Sequence, residues 1–370
     1  MNLSYWELKT WLNNVDYTIV GSGIVGLNTA LHLKNKYPNS KIVILEKGFF
    51  PQGASTKNAG FACFGSLSEI LQDLQFHTTD EVVELVNQRY NGLQLLRNTL
   101  GDEVLSYQQL GGYELFLEKD HSLYERCLEQ MQEVNRFLKP IFRAAVFSNV
   151  SNNFDFKNVQ NNYIRNQFEG QIDTGKMMQG LIKKTQDQGI IILNNCTVET
   201  YSEQSNNVAI KTNHFEFSSA KLILTTNGFA QQLINEDVQP ARAQVLITKP
   251  LKDLHIKGTF HLDCGYYYFR NIDNRILLGG GRNLDFKTET TTEFSQTQQI
   301  QNALEALLKH TILPGRDFEI EHRWSGIMGV GSQKKPIVKQ LSNRVFCGVR
   351  MGGMGVAIGS LIGKEVADLF

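Results

Sequence analysis

The chain has 370 residues, 41% hydrophobic and 20% charged, with Lys plus Arg equal to Asp plus Glu and a formal net charge of zero. That length exceeds what one core usually fills and predicts two domains, and the balanced charge gives no whole-chain pull toward nucleic acid or an anionic membrane. Five cysteines (Cys63, Cys127, Cys196, Cys264, Cys347) are odd in number, widely separated and without C-x-x-C spacing, which argues against a disulfide framework and a zinc site.

Residues 1–13 predict an N-terminal extension. The segment MNLSYWELKTWLNNVDY has no basic stretch followed by an apolar core and a small-residue cleavage site, and no apolar run reaches the ~18 residues of a membrane span. A cytoplasmic protein without a membrane span is expected. Tyr17–Val20 then reads as a strand, Ile24–Lys36 as a crossover helix and Lys41–Glu46 as a second strand. Between the first two, VDYTIVGSGIVGLNTALHL carries G-x-G-x-x-G in a strand–turn–helix–strand context, a strong signal for dinucleotide binding. Gly21 allows the tight turn, Gly23 lets backbone N–H groups approach a pyrophosphate, and Gly26 lets the helix pack close to the strand. Ser22, Ile24 and Val25 complete the turn and the helix start, whose free amides face the diphosphate. Glu46, followed by Lys47, is placed to accept hydrogen bonds from a ribose diol and to repel a 2′-phosphate, which favours FAD or NAD over NADP.

The Gly/Ser/Asn-rich loop GFFPQGASTKNAGFACFGS is long for an α/β domain, and such loops are often functional. Residues 68–100 and 120–139 read as amphipathic helices, and YQQLGGYELFLEK between them as a hairpin or strand pair turning at Gly111-Gly112. Asp173 or Thr174 caps the next helix. GIIILNNCTVETYS returns as strands, KLILTTNGF is a buried strand ending in a turn, and residues 241–286 alternate as in an antiparallel sheet. The end of the chain repeats the pattern strand, glycine turn, helix. A nucleotide motif at the start and a second glycine turn at the end predict α/β plus α+β architecture. A Rossmann-like FAD-binding domain is built from discontinuous segments (14–80, 150–235 and 325–370), and an antiparallel-sheet substrate domain from 81–149 and 236–324.

Four motifs in this order, VGSGIVGLNTALHL with Glu46, GASTKNAG, TTNGF and GVRMGGMGVAIGSLIG, make the chain resemble the D-amino-acid-oxidase-like superfamily of FAD-dependent amine oxidoreductases. That superfamily includes glycine oxidase, sarcosine oxidase and γ-glutamylputrescine oxidoreductase, and the similarity runs over nearly the whole length. It implies that Ser55, Thr56, Lys57, Asn58, Ala59 and Gly60 lie along the FAD diphosphate and flavin edge. Val198 contacts the adenine through its backbone, and Thr226, Asn227 and Gly228 close over the nucleotide. Arg350, Gly352, Gly353, Met354, Gly355 and Val356 belong to the entry of the last helix, whose N–H groups aim at the N1 and C2=O edge of the reduced flavin. Sarcosine-oxidase-like members attach flavin through a Cys that aligns near Gly326; with glycine there, FAD is expected to be non-covalent.

The resemblance further implies hydride transfer from the carbon bearing a neutral amine to flavin N5, giving an imine. Tyr266, Tyr267, Tyr268 and Phe269 are candidates for the aromatic pocket, and in a strand Tyr266 and Tyr268 share the face favoured here. Where related amino-acid oxidases read W-x-G-x-R-P, with the Arg clamping the substrate carboxylate, this chain has Trp324, Gly326 and Met328. Met328 cannot make that bidentate contact. Either Arg323 or Arg270 replaces it, giving an amino-acid oxidase or dehydrogenase, or the substrate is an amine without an α-carboxylate. Leu277 stands where family members carry an oxygen-activating Lys, so the acceptor is oxygen or a quinone or redox partner. Arg242 and Gln244 fall on the strand at the domain junction. No metal is expected from the scattered histidines. A flavin-binding protein without turnover is the alternative from another class.

Overall fold

The structure, a computed structural model, describes residues 3–370; residues 1 and 2 of the expected extension lie outside the described residues. A capping box between Ser4 and Glu7 starts α1 (Tyr5–Glu7), and a further helical turn reaches Leu12. β1 (Val15–Val20), buried from Thr18 onward, and the wholly apolar and buried β2 (Ile42–Leu45) flank α2 (Ile24–Lys36). After the short β3 (Phe61–Ala62), two capping boxes, Ser66 with Glu69 and Thr78 with Glu81, divide the single helix expected at 68–100 into α3 (Leu67–Asp73) and α4 (Thr79–Leu100). α5 (Asp102–Leu105), β4 (Gly112–Glu114), α6 (His121–Phe142), β5 (Phe147–Ser151), β6 (Asn162–Asn166) and β7 (Gly170–Gln171) follow. α7 (Thr174–Asp187) is capped by the Asp173 carboxylate, which accepts from Lys176 N. β8 (Ile191–Leu193), β9 (Val198–Glu203), β10 (Val208–Thr212) and β11 (Glu216–Leu224) precede β12 (Gln239–Thr248), β13 (Thr259–Leu262), β14 (Tyr267–Ile272) and β15 (Arg275–Gly280). α8 (Gln298–Leu307), β16 (Ile320–Val330), β17 (Ile337–Gln340), β18 (Val345–Val349) and α9 (Gly355–Ala367) complete the chain.

One sheet has the parallel order β18-β11-β1-β2-β8, with β17 antiparallel on β18 and the β9–β10 pair added antiparallel to β11. Its faces are covered by two apolar clusters. Ile24, Leu27, Leu31, Met177, Leu181, Ile358 and Ile362 pack on one side, and Leu12, Cys196, Val198, Val208 and Ile234 on the other. The opening helix α2 and the closing helix α9 share the first cluster, so segments more than 300 residues apart build one nucleotide-binding layer.

The second sheet runs β16-β12-β15-β14-β13-β4-β6-β5 and is antiparallel except where β4 lies parallel to β13. This corrects the hairpin expected at Gly111-Gly112. Gly111 holds φ +88 and Gly112 opens β4, whose neighbours β13 and β6 come from elsewhere in the chain. A Cβ at Gly112 would meet the Glu169 carboxylate at 1.8 Å, so the glycine is required by packing and not by a turn. The expected boundary at residue 150 also moves, because β6 pairs with β4 and β5 in this second sheet. The boundary at 325 cuts the single strand β16, which pairs with β12 along its length. Among the described residues no helix is long and apolar enough to cross a membrane.

α4 lies against α9 so closely that a Cβ on Gly92 would stand 2.3 Å from Ala357 O. Gly92→Ala is therefore expected to destabilise the protein by about 1–3 kcal/mol through overpacking, seen as a lower urea midpoint with unchanged slope. An unaltered midpoint would contradict the contact.

Candidate functional site

A cavity of 560 Å³ is lined by residues from both sheets. At the end of β1, Gly21 turns at φ +105 against Thr225 O, and a Cβ on Gly26 would stand 2.0 Å from Gly21 O. Gly26 thus sits behind the cavity and sets the distance between α2 and β1, while Gly21, Gly23, Ile24 and Val25 line it. Ser22 is buried; its N (3.1 Å) and Oγ (2.8 Å) both donate to Glu46 Oε2, and Gly48 N donates to Oε1 at 3.0 Å. The Glu46 carboxylate is thereby fixed at the cavity wall beside Lys47.

The loop after β2 crosses the N-terminus of α2, where Ser55 Oγ accepts from Ile24 N at 3.0 Å. Ser55, Lys57, Asn58 and Ala59 line the cavity. Asn58 spends its side chain on its own loop and on the start of α7, accepting from Gly60 N (2.9 Å) and Thr174 Oγ1 (2.9 Å) and donating to Ser55 O (2.9 Å). Thr56 and Gly60 stand behind the lining: Thr56 Oγ1 donates to Pro51 O at 2.6 Å, and Gly60, at φ +74, packs on Ile172 O. Val198, Thr226 and Asn227 line the cavity, and Gly228 lies behind them, where a Cβ would be 2.5 Å from Met328 O. Asn227 Oδ1 accepts from Met351 N at 3.1 Å, joining this turn to the last glycine turn. Arg350 is held by Asp237 (2.7 Å), and Gly352, Gly353, Met354, Gly355 and Val356 bring the start of α9 to the cavity. The side-chain-free turn at Gly21 and Gly23, the α2 start and the Glu46 carboxylate are the donor and acceptor set a dinucleotide such as FAD requires. Thr226 Oγ1, buried at the same wall, has no partner among the described residues.

On the side of the second sheet, Tyr268 of β14 and Tyr266 just before it line the cavity, together with Gly326 and Met328 of β16. Phe269 points the other way and stacks on Phe260 at 4.5 Å. Tyr268 meets the edge of Phe61 at 5.6 Å, and burial pushes its hydroxyl up to about 12. Three expected substrate residues do not line this cavity. Arg270 is buried and donates to the carbonyls of Ala59 (3.1 Å), Gly60 (3.0 Å) and Ile172 (2.6 Å). Arg323 is held by Gln301 (2.6 Å) and Glu305 (2.8 Å). Trp324 turns its Nε1 to Lys57 O at 2.9 Å. Arg242 and Gln244 form a buried network with Glu289 inside the second sheet.

Sequence reasoning missed the cavity residues Phe61, Cys63, Glu69, Arg89, His261 and Cys264. Arg89 had a readable signal, since it interrupts the apolar stripe Val82, Val86, Leu93, Leu96 of α4. His261 had none: its partner Glu169, 3.0 Å away, lies 92 residues earlier in the sequence. Both are buried. Burial pulls His261 down, but Glu169, with Glu69 and Glu114 behind it, outweighs that and lifts the imidazole to about 9.

Residues 16–369 match the DAO family model, described as FAD dependent oxidoreductase. A curated relative, the probable oxidoreductase OrdL of Haemophilus influenzae, is 20% identical over 390 residues, covering 97% of this chain and 83% of that protein. Glycine oxidase from Geobacillus kaustophilus superposes with TM-score 0.78 at 18% identity, covering 96% of this chain and 94% of its own. L-proline dehydrogenase from P. horikoshii gives TM-score 0.75 at 17% identity, covering 96% and 93%.

Because the folded value of His261 lies above the ordinary 6.5, the pair with Glu169 stabilises fully below pH 6.5 and loses that contribution as pH rises through about 9. Melting temperature is expected to fall across that window in the wild type and to fall less in Glu169→Gln. Identical slopes in the two proteins would remove the pair from the argument.

Proposed function

Because the chain belongs to the DAO family of FAD dependent oxidoreductases, we propose that it oxidises the carbon–nitrogen bond of a small amine or amino acid to an imine. The carrying observation is one cavity that runs from the Gly21 turn and Glu46, past the start of α9, to Tyr266, Tyr268 and His261 of the second sheet. Bound FAD supplies the two-electron acceptor for hydride leaving the carbon next to nitrogen. Glu46, pre-set by Ser22 and Gly48, holds a ribose diol, and the α2 start holds the diphosphate. The backbone amides at Gly353–Val356 open α9 at the cavity, and the positive end of its dipole would stabilise negative charge gained by a flavin bound there. Tyr266, Tyr268 and Phe61 form an aromatic wall that excludes water and orients the reacting carbon. Glycine at 326 offers no side chain for covalent attachment there, which supports a cofactor held non-covalently. Glycine oxidase and L-proline dehydrogenase, two of the superposed structures, are named for amino-acid substrates, which supports this substrate range.

Purified protein is expected to be yellow, to release FAD on acid precipitation, and to bleach anaerobically with at least one member of a panel of amines and amino acids. Bound flavin that no member bleaches would sink the proposed reaction. Reoxidation of bleached protein by oxygen or by a quinone identifies the acceptor. Glu46→Gln is expected to weaken FAD binding about tenfold, measured by the fluorescence of released cofactor.

A further inference from the structure

We infer that Arg89 binds a carboxylate of the substrate, so that the substrate is an amino acid and not a plain amine; this rests on the amine-oxidation reading above. Arg89 lies on the buried stripe of α4, is 5% exposed and lines the cavity. Nη1 donates to Phe64 O at 2.8 Å, which is its one hydrogen bond among the described residues, and Nε is buried with no partner. Its nearest acidic neighbours are committed elsewhere. Glu69 closes the capping box of α3 by accepting from Ser66 N at 2.9 Å, and Asp73 pairs with Lys334 at 2.5 Å. They act on Arg89 only at longer range.

A buried guanidinium without a matched anion is costly, and a carboxylate can accept from it through two parallel N–H groups. The local backbone keeps room for this fork. Gly65 sits at φ +118, and a Cβ there would stand 3.2 Å from Arg89 Nη1. Other cations at the cavity differ in kind. Arg350 and Lys334 are paired with Asp237 and Asp73, Lys47 stands beside Glu46, and Lys57 and Arg282 are partly exposed. Arg89 lines the same cavity as Phe61, His261 and Tyr268, the residues proposed to receive substrate.

The test titrates FAD-loaded protein with benzoate and with benzylamine, reading perturbation of the flavin spectrum. Benzoate is expected to bind the wild type, Arg89→Gln to raise its dissociation constant on the order of 100-fold, and Arg89→Lys to recover part of the loss, with FAD content and melting temperature preserved. Benzoate affinity equal in Arg89→Gln and wild type overturns the assignment. Should Arg89→Gln fail to fold, matched pairs on the wild type decide: L-proline against pyrrolidine, and sarcosine against dimethylamine, in anaerobic flavin reduction. Acids acting at lower concentration support the assignment, and amines acting as well as their acids overturn it. Flavin that no compound reduces overturns the oxidation reaction alone, and the benzoate titration still decides the role of Arg89.

Discussion

The nucleotide side of this molecule depends on a single close approach, that of the first turn of α2 to the carbonyl of Gly21 and to Thr225. A Cβ at position 26 would stand 2.0 Å from Gly21 O and 2.8 Å from Thr225 Oγ1, so the helix can be seated there only with glycine. Thr225 Oγ1 donates to Val20 O at 2.9 Å, which locks the end of β11 to the end of β1. From β11 the chain passes to Asn227, whose side chain accepts from Met351 N, and so to α9. The start, the middle and the end of the sequence are thus connected by a short run of hydrogen bonds. Ser55, capping α2 through Ile24 N, ties in the loop as a fourth segment.

The same loop is the fastening between the two sheets. Arg270 of β14 reaches across to three carbonyls, two of them on the loop, and Trp324 of β16 donates to Lys57 O. Burial pulls Arg270 down to about 10, which still leaves it charged at neutral pH, and charged donors make the stronger hydrogen bonds. Removing it would take a donor from the carbonyls of Ala59 and Ile172, while Gly60 O would keep Ile172 N at 2.8 Å, a larger loss than that of a surface arginine. Arg270 and Trp324, which read in sequence as substrate contacts, spend their donors on tying the second sheet to the loop.

What could be read in the sequence was what is local. The Gly21 turn, the α2 limits, Glu46 and the pairing of Tyr266 with Tyr268 all follow from spacing within a few residues, because turn sterics and strand alternation act at that range. The break between α3 and α4 was equally local and was overlooked, since apolar periodicity continued through it while Ser66 and Thr78 carried the boundary. The parallel pairing of β4 with β13 and the ion pair of His261 with Glu169 were beyond reach, because each joins segments about 90 to 150 residues apart. Glycine 112 misled for the same reason: its space is claimed by Glu169, not by its own chain neighbours.

Packing also explains why β16 carries Met328 and no cation on its cavity face, while the helix α4 carries one. Along β16, a Cβ at Gly326 would meet Lys57 Cβ at 2.8 Å, Met328 O lies 2.5 Å from the Cβ position of Gly228, and a Cβ at Gly329 would meet Asn227 Oδ1 at 2.5 Å. This strand is pressed against the nucleotide turn and the loop, and Met328 fills its cavity face with a flexible apolar side chain. α4 has the opposite geometry. Gly92 lets it lie directly on α9, and Arg89, three residues earlier on the same face, is buried and reaches the cavity wall. A guanidinium delivered this way arrives largely buried, whereas the cavity face of β16 lies between glycines packed on the nucleotide turn and the loop.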